Sequence, residues 1–149
     1  MANALFQQTG FTDAKRHLSE LMTEVVHEHR PVQVNRHAGK EQMFLVARRE
    51  LEDLLELSGQ RFETRVIFDE GEVVVSLPAF SLIGAGESFD EAVDDLLAVL
   101  RQYCAQYLER LEFYRQTDRR SLLALVFLFS LTPPEEQREL LLHPPEGRA

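Results

Sequence analysis

From Ser88 to Tyr114 the chain places apolar side chains at Phe89, Val93, Leu96, Leu100, Tyr103, Tyr107, Leu111 and Tyr114, each three or four residues after the last. That spacing is one face of an α-helix. Ser88 is a good N-cap, and Glu91 three positions later completes a capping box. A helix with one long apolar stripe is stable only if the stripe is covered, and the preceding residues offer the cover. Arg65 to Phe68 reads as a strand, Asp69-Glu70-Gly71 as a turn, and Val73-Val74-Val75 as a β-branched strand ended by Pro78. Ser81 to Ala85, closed by Gly86, makes a third strand. The order is β-β-β-α, and the stripe is long enough to leave surface for a further neighbour.

The residues before this unit follow a different plan. Ala4 to Gln8 reads as a short edge strand closed by Thr9-Gly10, and Thr12 as a helix N-cap with Asp13 complementing the dipole. Leu18, Leu21, Met22, Val25 and Val26 then form an apolar helix face, which Pro31 cannot continue. Val32 and Val34 alternate with polar residues as in a half-buried strand. Ala38-Gly39-Lys40 turns the chain, and Met43 to Val46 returns it. A helix over 49–57, carrying Leu51, Leu54 and Leu55, is stopped by Ser58-Gly59. The pattern gives an α+β protein with domains at 1–59 and 61–116. A helical extension at 117–149 completes it, with an apolar run from Ser121 to Leu131, a short polar helix to Leu142 and a frayed end from His143 onward.

The net charge of −9 is unevenly spread. Residues 1–49 hold seven Lys/Arg against five Asp/Glu, and residues 50–149 hold nine against twenty. A basic end on an acidic chain hints at a nucleic-acid-facing surface, although uneven solvation gives the same statistic. Cys104 is the only cysteine, which excludes an intramolecular disulfide and a multi-cysteine zinc site. The opening residues lack the basic and apolar regions of a signal peptide, and the apolar run Leu122 to Phe129 is far short of a membrane span. A cytoplasmic location is expected, with no membrane contact.

Two resemblances sharpen this reading. FTDAKRHLSELMTEV and RPVQVNRHAGKEQMFLVARRELEDLLE, within residues 4–57, resemble the Phd/YefM antitoxin family. The likeness lies in the ordered series of strand, Ser/Thr-initiated helix, Pro-Val strand ending in arginine, Gly-Lys turn and Glu-rich helix. VIFDEGEVVVSLPAF and GAGESFDEAVDDLLAVLRQY resemble the HicB-type antitoxin domain, a partial ribonuclease-H-like β-β-β-α fold. Phe80-Ser81-Leu82 stands where that family commonly has Pro-Gly-Cys.

The first resemblance implies a homodimer or higher homo-oligomer that reads operator DNA with basic residues of its first helix and β-hairpin. By position, Lys15 stands at the family's Ala-Arg site and Arg36 ends the Pro-Val strand. Lysine at position 15 keeps phosphate contact and loses the bidentate fork, which Arg36 retains. Arg16, His37 and Lys40 lie beside them as further phosphate contacts. The plain alternative for all five is a set of solvated surface cations.

The apolar run has two readings. Leu122, Leu125, Val126, Phe127 and Phe129 are either core of this chain or a docking segment for a partner toxin. The acidic bias beyond residue 49 suits a small basic toxin.

Other clusters have plain accounts. His27 and His29 near Glu24 and Glu28 are two apart on a helix, hence on different faces, and no metal site is expected. Asp90, Glu91, Asp94 and Asp95 fall in the first turns of the long helix, where negative charge is favourable, which argues against a nuclease. Cys104 reads as buried packing. No phosphate loop or nucleophile elbow is present, so neither enzymatic activity nor a cofactor is expected. The sequence reading is an antitoxin that neutralises a toxin and represses its own transcription. The alternative is an interaction protein that kept the antitoxin fold and lost DNA reading.

Overall fold

The computed structural model describes residues 5–142. Ala4, at the start of the expected first strand, and the frayed end from His143 lie outside the described residues. The chain forms two compact units, Met1–Leu54 and Leu55–Ala149. It is a mixed α+β protein, with two three-stranded sheets and seven α-helices among the described residues.

In the first unit, β1 (Gln7–Gly10) runs parallel to β2 (Val32–Arg36), and β2 pairs antiparallel with β3 (Glu41–Leu45). Parallel neighbours need a crossover, supplied here by α1 (Phe11–Arg16) and α2 (Leu18–His27). The single helix expected from the Leu18–Val26 spacing is interrupted at His17, where φ −118° and ψ 35° leave helical geometry. Thr12 is not the N-cap. Gly10, still extended at the end of β1, leads straight into the helix, and no side chain caps it. Ala14, Leu21, Val25, Val32, Val34 and Ala47 are the buried core, a small one. Leu18, Met22 and Val26, from the same predicted apolar face, are exposed. α3 (Arg48–Leu57) buries no residue at all.

In the second unit β4 (Arg65–Asp69), β5 (Glu72–Leu77) and β6 (Leu82–Gly86) form an antiparallel meander. Glu70 and Gly71, both at positive φ, make the two-residue turn between β4 and β5. Pro78 ends β5 as its missing N–H requires, and one 3-10 turn over Pro78–Phe80 leads into β6. α4 (Phe89–Glu109) packs across the sheet with Val93, Leu96 and Leu100 fully buried.

Ser88 caps α4 as expected, its Oγ accepting from Glu91 N–H at 3.1 Å. The reciprocal bond is shifted by one residue: Glu91 Oε1 accepts from the N–H of Glu87, not of Ser88, at 2.9 Å. The stripe does not run on one helix to Tyr114. Arg110, at φ −130° and ψ 41°, divides it into α4 and α5 (Leu111–Arg115).

β6 lies close against α4 at Gly84. A Cβ there would fall 2.3 Å from both Ala92 O and Leu96 N, which are backbone atoms. After a 3-10 turn at Asp118–Leu122, α6 (Leu123–Leu131) and α7 (Pro134–Leu142) complete the same core, with Val126, Phe129 and Leu141 against α4, Phe62 and Phe80. Gln137, buried among them, donates to Phe129 O and Thr132 O and accepts from Arg101 Nε at 2.7 Å. No helix is long and apolar enough to cross a membrane among the described residues.

Candidate nucleic-acid interface

Phe11 and Lys15 are four residues apart on α1 and therefore share a face. Arg36 reaches the same place from the end of β2. The ring of Phe11 lies 5.2 Å from Lys15 Nζ and 5.1 Å from the Arg36 guanidinium carbon. One aromatic side chain thus lies against two of the five candidate cations, the two that the family resemblance places by position. Each such contact is worth about 0.5–1 kcal/mol at an exposed site, enough to bias a rotamer. Phe11 carries no charge and was missed in the sequence. Its signal was the four-residue offset from Lys15.

The second missed residue is Glu41. It sits directly across the hairpin from Arg36 in the β2–β3 register. Its Oε1 accepts from Arg36 Nε at 2.6 Å and lies 3.7 Å from His37 Nε2. Arg36, Glu41 and Phe11, with Val34, Gln42 and Met43, line an open depression of about 330 Å³. Arg36 is half-exposed. An ion pair so exposed contributes no more than about 1 kcal/mol, so a phosphate can compete for the guanidinium.

The remaining cations are placed differently. Arg16, on α1, pairs weakly with Asp13 at 3.9 Å. His37 and Lys40 flank the β2–β3 turn, where His37, Ala38 and Gly39 all take positive φ and Lys40 N–H donates to His37 O. Lys40 has no ion pair among the described residues. The structure therefore joins Lys15, Arg36 and His37 through Phe11 and Glu41, while Arg16 and Lys40 stay outside that linkage.

The other sequence candidates have structural partners. Leu122, Leu125, Val126 and Phe129 are buried in the core of the second unit and Phe127 is half-buried, so this fold does not present them to a partner. Arg138 on α7 forks across Asp90 and Asp94, Asp95 accepts from Ala85 N–H at 3.0 Å, and Glu91 holds Glu87. His29 Nδ1 lies 3.0 Å from Glu50 Oε2, tying the chain after α2 to α3. No group of three potential metal ligands occurs among the described residues. Burial pushes the Cys104 thiol up to about 11, with a hydrogen bond to Ser130 acting the other way.

The chain matches residues 5–122 of its length to the PHD-like family, described as antitoxin of toxin–antitoxin, RelE/RelB, TA system. The match takes in the first unit from residue 5 and the second as far as residue 122. No curated protein matches the chain. Among solved structures it is similar to an antitoxin part of a proposed toxin/antitoxin system from Syntrophomonas wolfei subsp. wolfei. The TM-score is 0.76 at 18% identity, over 91% of this chain and 96% of that one. With most of its length matched by the family and its fold shared with that structure, the chain belongs to the PHD-like family of toxin–antitoxin antitoxins.

Proposed function

We propose that this antitoxin binds operator DNA through the Lys15–Phe11–Arg36 edge of its first unit, represses its own transcription, and neutralises a small basic toxin in the cytoplasm. The observation that supports the DNA reading is the shared aromatic ring, which holds a helix cation and a strand cation together on an exposed edge. Phosphate contacts from Lys15, Arg16, His37 and Lys40 would set the register, and the Arg36 fork would supply bidentate base recognition. We read the first unit as Phd/YefM-like and the second as HicB-like, with the extension beyond residue 116 filling the second unit's core.

A core of six small and medium side chains gives the first unit little stability of its own. Leu18, Met22 and Val26 are exposed beside it. Both facts support a homodimer, which also doubles the DNA contacts and matches a two-fold operator. Because Leu125, Val126 and Phe129 are buried, the toxin surface is assigned to the acidic exterior beyond residue 49 and not to that segment.

The test is fluorescence anisotropy of a labelled duplex from immediately upstream of the gene, against a scrambled duplex, at two salt concentrations. Tighter, salt-weakened binding to the upstream duplex is expected. Equal and feeble binding to both removes the DNA reading and favours a second one, an interaction protein on the antitoxin fold. The Arg36–Glu41 pair and the net charge of −9 speak for that alternative. For the toxin, a neighbouring gene product that never co-purifies with this chain, even at low salt, would sink the neutralisation reading.

A further inference from the structure

The two edges of the second sheet are treated differently. At β6, the Ala85 N–H is already taken by Asp95 of α4. At β4, no further strand pairs with the edge among the described residues, and its three central residues are apolar and exposed: Val66 at 41%, Ile67 at 54% and Phe68 at 76%. Val66 and Phe68 stand opposite the buried Val75 and Val73 and so face the α4 side of the sheet, yet α4 does not shield them. Ile67 faces the other side. An apolar edge strand with no proline, lysine or bulge is a template for another strand.

The sequence of β4 says which strand fits. Arg65-Val66-Ile67-Phe68-Asp69 has the same chemistry read in either direction apart from the sign of its ends, and antiparallel pairing with itself reverses those ends. Centred on Ile67, such pairing sets Arg65 opposite the second copy's Asp69, Val66 opposite its Phe68, and Ile67 opposite its Ile67. Neither Arg65 nor Asp69 makes an ion pair within the described chain.

The backbone is in phase with this register. The two-residue turn at Glu70-Gly71 makes Asp69 and Glu72 a hydrogen-bonded pair, so Ile67 and Arg65 also point their backbone groups at β5. Val66 and Phe68 therefore point theirs outward, where each pairs with its counterpart through two N–H···O bonds.

We infer that β4 pairs antiparallel with β4 of a second copy of this chain about a two-fold axis at Ile67, joining two three-stranded sheets into one of six strands. This goes beyond the antitoxin reading and does not rest on it. Like any two-fold contact it is self-complementary, with one residue on the axis.

Cysteine crosslinking of the full-length protein reads the register directly. In a non-hydrogen-bonded antiparallel pair the Cα atoms lie about 4.5 Å apart, within disulfide range. Under mild oxidation I67C should give a covalent dimer at about twice the monomer mass. V66C and F68C should not, because like positions are then about 8 Å apart, beyond disulfide reach. The wild type, whose Cys104 is buried, is the blank. Adding R65E to I67C should lower the yield about threefold or more, and adding D69R as well should restore it. No covalent dimer from I67C, equal yields from all three single variants, or no rescue by the charge swap overturns the pairing.

Discussion

The tight approach of β6 to α4 at Gly84, where a Cβ would meet backbone at 2.3 Å, gives the sharpest quantitative expectation. In Gly84→Ala the new Cβ meets Ala92 O and Leu96 N at 2.3 Å, and neither atom belongs to a side chain that can rotate away. Restoring even a tight 3.4 Å contact requires β6 and α4 to separate by about 1 Å. Val93, Leu96 and Leu100, all fully buried under that contact, then lose a quarter to half of their dispersion attraction across the gap. Overpacking costs about 1–3 kcal/mol and occasionally more, and a clash against backbone on two sides belongs at or above about 3 kcal/mol.

The three tyrosines of the chain cluster in this unit, Tyr107 stacked on Tyr114 and Tyr103 edge-on to both, and the chain has no tryptophan. Tyrosine fluorescence therefore reports urea unfolding of the second unit. With a slope of about 1.5 kcal/mol/M, the midpoint should fall by about 2 M. Ile83→Ala, next in sequence but exposed on the outer face, should cost less than about 1 kcal/mol. A Gly84→Ala loss no greater than that of Ile83→Ala would refute the close-packing argument.

Further expectations follow from the two units. Lys15→Ala should weaken operator binding and reduce its salt slope by about one, whereas Arg36→Ala should weaken it by about 1–3 kcal/mol and relax sequence preference, both read by anisotropy. Glu41→Gln, which frees Arg36 and His37 from their shared counter-ion, should tighten DNA binding, and weaker binding would show that Glu41 positions the arginine instead of competing for it. Gln137→Ala strips Arg101 of its partner, removes the donor to Thr132 O and leaves Phe129 O with the Thr132 N–H alone, so it should cost about 2 kcal/mol of second-unit stability in the same urea assay.

Cys104 holds its proton to about pH 11 when folded, against an ordinary value of 9.0. Between those values the unfolded chain binds fewer protons than the folded one, so stability should fall as pH rises from about 9. Thiol alkylation at pH 8 should be slow until urea unfolds the protein, and fast labelling of the native chain would contradict the burial.

Local rules written in adjacent residues survived folding. The capping residue Ser88, the strand-ending Pro78, the glycine turn after β4 and the apolar period of α4 act within a few residues of themselves, so the β-β-β-α order could be read from the chain. What failed did so where a local preference met a competing context. Thr12 is a good cap, but Gly10 is already extended in β1 and the helix begins one residue before Thr12. The apolar stripe to Tyr114 has correct spacing, yet Arg110 breaks the helix so that α5 can fold back and stack Tyr114 on Tyr107 at 4.5 Å.

The sequence alone determined most of the element types and the small cationic excess of residues 1–49, because charge and periodicity are properties of the chain, while the choice of Lys15 and Arg36 came from the family resemblance. Only the tertiary structure decided that Phe11 brings those cations together, that Glu41 answers Arg36 across the hairpin, and that Leu122, Leu125, Val126 and Phe129 are core. Each of these depends on residues far apart in sequence meeting through strand register or helix packing, and no local pattern records which partner a side chain will find.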